Sequence, residues 1–294
     1  MIGKITTYAP AKINLTLEVT GKRDDGYHTI SSIMQSISLY DKVSTELNDS
    51  GKISVECDNE NIPSGKENIA YRAAEAFFLY SGIRSQGVSI NIDKKIPSQA
   101  GLGGGSADAA AVLCAMNKLL KTEYSAEKLC EIGVTVGADV PFCIVGGTKL
   151  CCGIGEIISE APVLENCHIV IGKGLDGIST KEAFEKIDSI GFCECTIPQS
   201  YDGTIKSVAY IGRNVFEEVS DLESVSEIKK IFLSSGAEYS AMSGSGSAVF
   251  GIFSDIGKAD KCRKMVAENG FFSALCHPVP CGTCMNVPYM KFRL

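Results

Sequence analysis

The segment of this sequence most suited to chemistry is a glycine-rich run in its first half. Four glycines fall within five residues, just before an alanine-rich run over 107–120 that predicts a helix: Gly101, Gly103, Gly104 and Gly105. Glycine lets backbone N–H groups converge on an anion because no Cβ intervenes, and a helix N-terminus adds unpaired N–H groups and the positive end of its dipole. The pattern therefore predicts a phosphate-binding loop, with a plain strand–helix turn as the alternative.

Two common phosphate-loop motifs do not fit this segment. The P-loop requires Gly-Lys-Ser/Thr at the start of the helix, whereas Gly105 is followed by Ser106 and Ala107. The dinucleotide pattern G-x-G-x-x-G needs a final glycine where Ser106 stands, and only Glu123 lies near the place of its acidic residue. The loop is therefore of another kind.

Three segments in order resemble the motifs of the GHMP kinases, which include galactokinase and the homoserine and mevalonate kinases. Residues 10–15 (Pro-Ala-Lys-Ile-Asn-Leu) resemble the first motif, 97–108 the second, and 243–248 (Ser-Gly-Ser-Gly-Ser-Ala) the third. Residues 23–28 (Arg-Asp-Asp-Gly-Tyr-His) and 137–142 (Gly-Ala-Asp-Val-Pro-Phe) are similar to the members that act on 4-diphosphocytidyl-2-C-methyl-D-erythritol, in non-mevalonate isoprenoid biosynthesis. The resemblance spans about residues 8–253 and implies phosphorylation of an alcohol, with ATP and Mg²⁺ as cofactors.

The resemblance also implies roles for particular residues. Lys12 and Asp139 would be catalytic, with Asp139 accepting the hydroxyl proton and Lys12 holding Asp139 and the developing charge. From the residues alone, Asp139 is equally well a turn residue. The expected ATP-binding residues are the loop and two outlying positions: Pro97, Ser98, Gln99, Ala100, Gly101, Leu102, Gly103, Gly104, Gly105, Ser106, Ala107, Asn68 and Lys94. The loop departs from its relatives' pattern at Gln99-Ala100 and at Ala107, where small or adaptable side chains are kept.

Besides ATP, the resemblance implies a cytidine diphosphate alcohol as the second substrate. Tyr27 could stack on a pyrimidine, and the His28 imidazole could hydrogen-bond its edge. Without the resemblance, these two residues could simply close a hairpin. Asn14, beside Lys12, and Thr180 are the remaining expected contacts with this substrate.

Composition limits the kinds of partner. The chain has 294 residues, a net charge of −7 and a pI near 5.2, which argue against binding nucleic acid or an anionic membrane. A small-molecule partner is expected, with the chain a monomer or homodimer. No run approaches the roughly 20 apolar residues of a membrane span, and no signal peptide precedes the first strand, so a cytoplasmic location is expected.

The thirteen cysteines are scattered through the chain, which favours reduced thiols over a disulfide framework. Four metal-ligating side chains crowd the end of the chain: Cys276, His277, Cys281 and Cys284. They could hold zinc, but Cys276 and His277 are adjacent and no second C-x-x-C accompanies Cys281 and Cys284. The favoured interpretation is that no metal is bound.

Hydrophobic periodicity predicts the elements that would position these residues. We expect antiparallel strands over the first 55 residues, helices over 67–81 and 125–137, a helix opening at Ser106, and strands over 88–92 and 148–158. Beyond residue 161 we expect strands over 168–172 and 247–253 and helices over 180–188, 224–234 and 256–269.

These elements predict an α+β fold class. The resemblance implies a two-lobed GHMP kinase fold with a mixed sheet-and-helix lobe (1–160), a ferredoxin-like α+β lobe (161–294) and ligands in the cleft between them. A different small-alcohol kinase and a non-catalytic sensor of small molecules are the alternatives.

Overall fold

The structure is a computed structural model that describes residues 3–84, 86–192 and 200–283. The first half contains the strands β1 (Lys4–Asn14), β2 (Glu18–Lys22), β3 (His28–Leu47), β4 (Ile53–Cys57), β5 (Val88–Asp93), β6 (Thr148–Gly153) and β7 (Ile157–Glu160). Its helices are α1 (Ile69–Ser81), α2 (Gly104–Leu119), α3 (Ala126–Val134) and α4 (Val140–Val145). The second half contains the strands β8 (His168–Lys173), β9 (Tyr239–Met242), β10 (Val249–Phe253) and β11 (Phe272–Cys276), with helices α5 (Thr180–Ile190), α6 (Ile205–Ile211), α7 (Glu223–Ser234) and α8 (Ile256–Glu268).

The first lobe is built around β3, a strand of 20 residues. The sheet runs β4-β5-β3-β6-β7, and both β1 and β2 also pair with β3. β1 is antiparallel to β3 and shifts register between Pro10 and Ala11, just before Lys12 pairs with Ser36. A register shift turns a strand locally and can redirect its side chains.

Helix α2 lies at the centre of this lobe and packs on β1, β3 and the helices α1 and α4. Its residues from Ala107 to Met116 are all buried. A helix that is buried on every side is expected to be apolar on every side, and its many alanines let the neighbouring elements pack closely against it. The N-terminus of α2 is therefore held rigidly where the glycine-rich segment meets it.

The predicted start of this helix was wrong, and one further helix was missed. Helix α2 begins at Gly104, not Ser106, because Gly103 already holds the N-cap position with a φ of 69°. Gly104 and Gly105 consequently form part of its first turn, and Ser106 is not the N-cap. Asp139 stands at the N-cap of a short helix, α4, that was not predicted and that has a proline near its start, as helices favour.

The predicted strand over 148–158 is in fact two antiparallel strands, β6 and β7. Gly153 ends β6 and Gly155 lies in the turn, with φ values of 68° and 121° that side-chain-bearing residues rarely adopt. The remaining helices and strands predicted for the first lobe are confirmed to within a few residues, except that β4 pairs with β5 in parallel and not antiparallel. Asn68 and Ser125 cap α1 and α3 through their side chains, and Gly82 ends α1 in the left-handed conformation.

The second lobe is a four-stranded antiparallel sheet in the order β11-β8-β10-β9. Helices α7 and α8 pack against it, which confirms the α+β class predicted from the sequence. Its edge strands β9 and β11, of four and five residues, were not predicted. The opposite face of the sheet shares an apolar core with the first lobe, in which Ile13 and Ile33 meet Ile169 and Phe250.

In the described part of the chain, no helix is both long enough and apolar enough to cross a membrane.

The chain returns to the first lobe after β11. Val279 N donates to Ser36 O at 2.9 Å, and Gly282 N donates to Val145 O at 3.0 Å. A Cβ on Gly146 would lie 2.0 Å from Gly282 N, so this segment is packed closely on the end of α4. Residues 277–283 thus form a strap that ties the second lobe to the first.

Candidate active site

A cleft of about 900 Å³ lies between the two lobes. Its walls come from the glycine-rich segment, the end of β1, the β2–β3 hairpin, α5 and the turn after β9. Among the residues predicted to carry function, all but Ala107 and the tail cysteines and histidine line it. Residues that are far apart in the sequence therefore converge on one site.

The glycine-rich segment has a conformation and packing that only glycine fits. Gly101 and Gly103 have φ values of 72° and 69°. A Cβ on Gly101 would lie 1.9 Å from Ser243 O, and one on Gly103 would lie 2.8 Å from Lys12 Cγ. Helix geometry leaves the N–H groups of Gly104 and Gly105 without i−4 partners at the edge of the cleft. The arrangement suits an anion, as the sequence predicts.

Lys12 and Asp139 lie together in the cleft, as expected. Lys12 Nζ is 3.3 Å from Asp139 Oδ2, and it donates to Asn14 Oδ1 at 2.8 Å. Lys12 is only 4% exposed, whereas the Asp139 side chain is 29% exposed. The lysine backbone N donates to Leu102 O at 2.9 Å, so β1 and the glycine-rich segment are joined at this point. A half-open carboxylate beside a buried ammonium suits a proton acceptor.

The turn after β9 lies against the glycine-rich segment. Ser243 Oγ donates to Gly101 O at 2.9 Å, and Ala248 N donates to Ala100 O at 3.1 Å. Thr180 Oγ1 lies 3.3 Å from Ser245 Oγ, so α5 also contacts this turn. The third sequence motif therefore supports the wall of the cleft, as the resemblance implies.

Lys94 lines the cleft, but its ammonium is held in a buried cluster with two carboxylates. Its Nζ donates to Asp41 and, at 2.8 Å, to Asp108 Oδ2. Burial lowers the pKa of Lys94, but the two carboxylates outweigh this effect and the net shift is upward. Burial raises the pKa of Asp108 to about 8 against the opposing effect of Lys94. The lysine is therefore a paired cation.

Sequence reasoning did not identify Asp41 and Asp108 as part of this cluster. Asp41 is fully buried and also accepts from the backbone N–H groups of Lys95 and Ile96. Asp108 stands alone as an acid in an otherwise apolar run, which was a signal in the sequence. Asp41, between Tyr40 and Lys42 in a strand, gave no such signal.

The β2–β3 hairpin and α5 form the far end of the cleft. Tyr27 is 59% exposed there, while the His28 ring stacks on Phe184 with centroids 4.5 Å apart. His28 Nε2 is 2.7 Å from Asp188 Oδ1, and Lys22 Nζ donates to Asp188 Oδ2 at 2.6 Å. The edge of the imidazole expected to meet a pyrimidine is thus engaged by Asp188 at Nε2, and the His28 side chain is only 8% exposed.

Two of the expected ATP contacts have structural roles. Asn68 lines the cleft, but its side chain caps α1 and donates to Pro63 O at 2.7 Å. Ala107 is fully buried inside α2, and its N–H donates to Gly103 O at 2.9 Å. Ala107 does not line the cleft, because the helix starts two residues earlier than predicted and turns this residue inward.

The residues considered for zinc are not assembled into a site within the described part of the chain. Cys276 is buried in the sheet, and His277 Nδ1 is 3.0 Å from Ser38 Oγ. Cys284 lies outside the described residues. Over 3–84, 86–192 and 200–283, no group of three or more His, Cys, Asp or Glu side chains could hold a metal ion. Buried cysteines such as Cys143 and Cys167 are free thiols whose pKa is raised by burial.

Comparison with known proteins is consistent with this site. The family model for the GHMP kinases N terminal domain matches residues 68–147, and that for the GHMP kinases C terminal matches residues 222–271. A 4-diphosphocytidyl-2-C-methyl-D-erythritol kinase of Clostridium botulinum (strain Kyoto / Type A2) is 45% identical over 267 residues, which cover 88% of this chain and 95% of that protein.

Solved structures give the same result. A crystal structure of 4-(cytidine 5'-diphospho)-2C-methyl-D-erythritol kinase aligns with a TM-score of 0.76 and 29% identity, covering 92% of this chain and 98% of that one. Homoserine kinase from Cytophaga hutchinsonii shares the fold, with a TM-score of 0.74 at 19% identity and 96% of each chain covered. The sequence match covers nearly the whole length of a relative, and the three motifs meet at one cleft. The chain therefore belongs to the GHMP kinase family.

Proposed function

We propose that this protein transfers the γ-phosphoryl group of ATP to the tertiary 2-hydroxyl of 4-diphosphocytidyl-2-C-methyl-D-erythritol, a step of non-mevalonate isoprenoid biosynthesis. The observation that carries the proposal is the Lys12–Asp139 pair, at 3.3 Å, placed between an anion-binding loop and an aromatic pocket. The name of the relatives that are 45% identical supports the identity of the acceptor.

In this proposal Asp139 accepts the proton of the attacking hydroxyl. Phosphoryl transfer needs positioning and charge stabilisation more than covalent chemistry by the protein. A lysine ammonium has three N–H donors. Lys12 directs one to Asn14 and one toward Asp139, which leaves a third for an oxygen of the transferred group. Lys12 therefore holds the Asp139 carboxylate in place and stabilises charge that develops during transfer.

The triphosphate would lie on the backbone N–H groups at the start of α2, with Ser106 adding a hydroxyl. The lysines that line the cleft each have a carboxylate partner: Lys12 with Asp139, Lys22 with Asp188, Lys94 with Asp41 and Asp108, and Lys181 with Glu185. ATP is a polyanion, so these paired cations do not neutralise it on their own.

The oxygen donors that face the cleft fit a magnesium ion. Ser106 and Asp139 both line it, and Mg²⁺ in nucleotide sites is held by one or two such protein oxygens together with the phosphates. When bound, the ion would neutralise phosphate charge and orient the terminal phosphoryl group. Ser106 would hold it here together with phosphate oxygens, so that Asp139 stays available as the proton acceptor.

The acceptor's base would bind at the far end of the cleft. The exposed ring of Tyr27 offers a stacking surface, and His28 lines the same end of the cleft. Thr180 and Asn14 line the path between this pocket and Lys12. We propose further that the first lobe, about residues 1–160, supplies the catalytic residues, and that residues 161–294 close the cleft.

A coupled ADP-release assay tests the proposal. ATP turnover should depend on 4-diphosphocytidyl-2-C-methyl-D-erythritol and be absent with mevalonate, homoserine and galactose. Turnover with one of the other alcohols would assign a different kinase activity. If none of the four alcohols supports turnover, the kinase proposal is wrong and the cleft is that of a binding protein.

A further inference from the structure

Asn14 was expected to contact substrate, but its side chain is used within the protein. It is 1% exposed, at the end of β1. Its Oδ1 accepts from Lys12 Nζ at 2.8 Å and from the backbone N of Gly244 at 3.0 Å. Its Nδ2 donates to Ser32 Oγ at 2.8 Å. A single amide thus contacts the active-site lysine, the turn of the second lobe and the central strand β3.

The hydrogen-bond network determines the orientation of this amide. Ser32 Oγ donates to Thr16 O at 2.5 Å, so its proton is committed and the oxygen accepts from Asn14. The amide oxygen must then point toward Lys12 and Gly244, which are both donors. The reversed amide would place its NH₂ group against an ammonium and an N–H, where no acceptor lies.

The Asn14 backbone reinforces the same connection. Asn14 N donates to Ser243 Oγ at 3.3 Å, and Ser243 Oγ donates to Gly101 O at 2.9 Å. Lys12, Asn14, Gly101, Ser243 and Gly244 therefore form one hydrogen-bonded unit, which we call the Asn14 junction. It contains one residue or more from each of the three sequence motifs.

We propose that Asn14 is a positioning residue that orients the Lys12 ammonium through the same oxygen that seats the Ser243–Gly244 turn. One acceptor thus serves both donors, so the same side chain aligns the Lys12 ammonium and holds the Gly244 amide. The inference rests on the proposed function, since the groups it aligns are those of phosphoryl transfer. It differs from a substrate contact, which would place an Asn14 hydrogen bond on the acceptor.

Asn214 provides a matched control in the same turn. It is 4% exposed, and its Nδ2 donates to Met242 O at 2.7 Å and to Gly244 O at 2.8 Å. Its Oδ1 accepts from Phe216 N at 3.0 Å. Like Asn14 it is a buried asparagine that holds Gly244, but its contacts do not include Lys12.

The kinetic test compares Asn14→Leu with Asn214→Leu. Asn14→Leu should lower kcat by about tenfold or more, while KM for ATP and for the acceptor each stays within about threefold, because an interaction that aligns reacting groups acts on the transition state. Asn214→Leu should lower Tm but leave kcat within about twofold. A rise in acceptor KM at unchanged kcat would make Asn14 a substrate contact, and an equal loss of kcat in both variants would make the junction merely structural.

Two measurements on the ligand-free protein separate this inference from the proposed function. In Asn14→Leu the Gly244 amide should exchange with solvent about tenfold faster, since its acceptor is gone, whereas Asn14→Asp keeps an acceptor oxygen and should stay within about threefold of the parent. The NMR shift of Lys12 Cε should move in Asn14→Leu but not in Asn214→Leu. If Asn14→Leu does not fold, Asn14→Ser, whose hydroxyl is too short to reach both donors, replaces it. Unchanged Gly244 exchange and an unchanged Lys12 shift would refute the junction, whatever alcohol the enzyme phosphorylates.

Discussion

At the scale of single residues, the proposed reaction depends on the contact between the Asp139 carboxylate and the Lys12 ammonium. Asp139 is half-buried at the start of α4, and its carboxylate is 3.3 Å from the Lys12 ammonium. The sequence alone could not separate a catalytic aspartate from a turn residue, because the distance between residues 12 and 139 is a property of the fold. The resemblance to a family supplied that pairing, and the geometry is compatible with it.

Asp139→Asn tests the role of the carboxylate. Removing a general base lowers turnover by about 10²–10⁴-fold, so we expect kcat to fall within this range with little change in KM for ATP. Steady-state kinetics at saturating ATP and acceptor will show the loss, and circular dichroism will show that the variant is folded. Near-parental turnover would mean that another group takes the proton.

Gly101→Ala tests the close packing of the phosphate loop against the second lobe. Both Gly101 and Gly82 have positive φ, 72° and 67°, but a Cβ on Gly82 would meet nothing within 4 Å. Gly82→Ala should cost about 1–2 kcal/mol, the cost of the left-handed conformation alone. Gly101→Ala adds a clash at 1.9 Å with Ser243 O and should be clearly more destabilising.

Urea denaturation measures the free energy of unfolding of the two glycine variants, and steady-state kinetics give their KM for ATP. Only Gly101→Ala should also raise KM for ATP, because only Gly101 lies in the phosphate loop. Equal destabilisation of both variants would show that the loop can move away from Ser243 at no cost.

At the scale of elements, the sequence predicted most helices and strands because their apolar spacing and caps are local. It failed where tertiary contacts decide the boundary. Gly104 and Gly105 enter α2 because Ile96 and Ile69 pack against them, with a Cβ at either position 3.0–3.2 Å from those side chains. Similarly, no element was predicted over 140–145, yet these residues form a helix against α2 and α3.

The buried cluster beneath α2 predicts a pH dependence of stability. Asp41 accepts three hydrogen bonds, whereas Asp108 Oδ1 is buried without a partner, so the cluster's proton is held by Asp108. Its pKa is raised to about 8 in the folded protein, above the unfolded value of 3.8. The folded state therefore holds a proton that the unfolded state loses, and stability falls as pH rises from about 4 to 8.

Asp108→Asn should flatten that pH dependence, because an amide cannot titrate. The free energy of unfolding, from urea titrations at pH 5 and pH 8, should differ less in the variant than in the parent. A parent protein that is more stable at pH 8 than at pH 5, with the variant unchanged in slope, would contradict the assignment of the proton to Asp108.

At the scale of the whole molecule, the two lobes form one structure through a shared core and the strap over 277–283. The two-lobed fold could be predicted because five ordered motifs resemble a known family. The strap could not, because its hydrogen bonds to Ser36, Ser38 and Val145 are made by backbone groups that carry no sequence signature.

Truncation measures what the strap contributes. A chain that ends at Cys276 should have a lower Tm than one that ends at Thr283, since it loses the strap's hydrogen bonds and buried contacts with the first lobe. Differential scanning calorimetry of these two chains and the full chain isolates residues 277–283. Equal Tm values for the two truncated chains would mean that the strap does not stabilise the fold.

The most direct test of the central claim is to identify the phosphorylated product. With ATP and 4-diphosphocytidyl-2-C-methyl-D-erythritol, ³¹P NMR should show ADP and a new phosphomonoester on the tertiary 2-hydroxyl, and Asp139→Asn should reduce both signals together. Phosphorylation of another hydroxyl, or no new phosphomonoester while ATP stays intact, would contradict the proposed reaction.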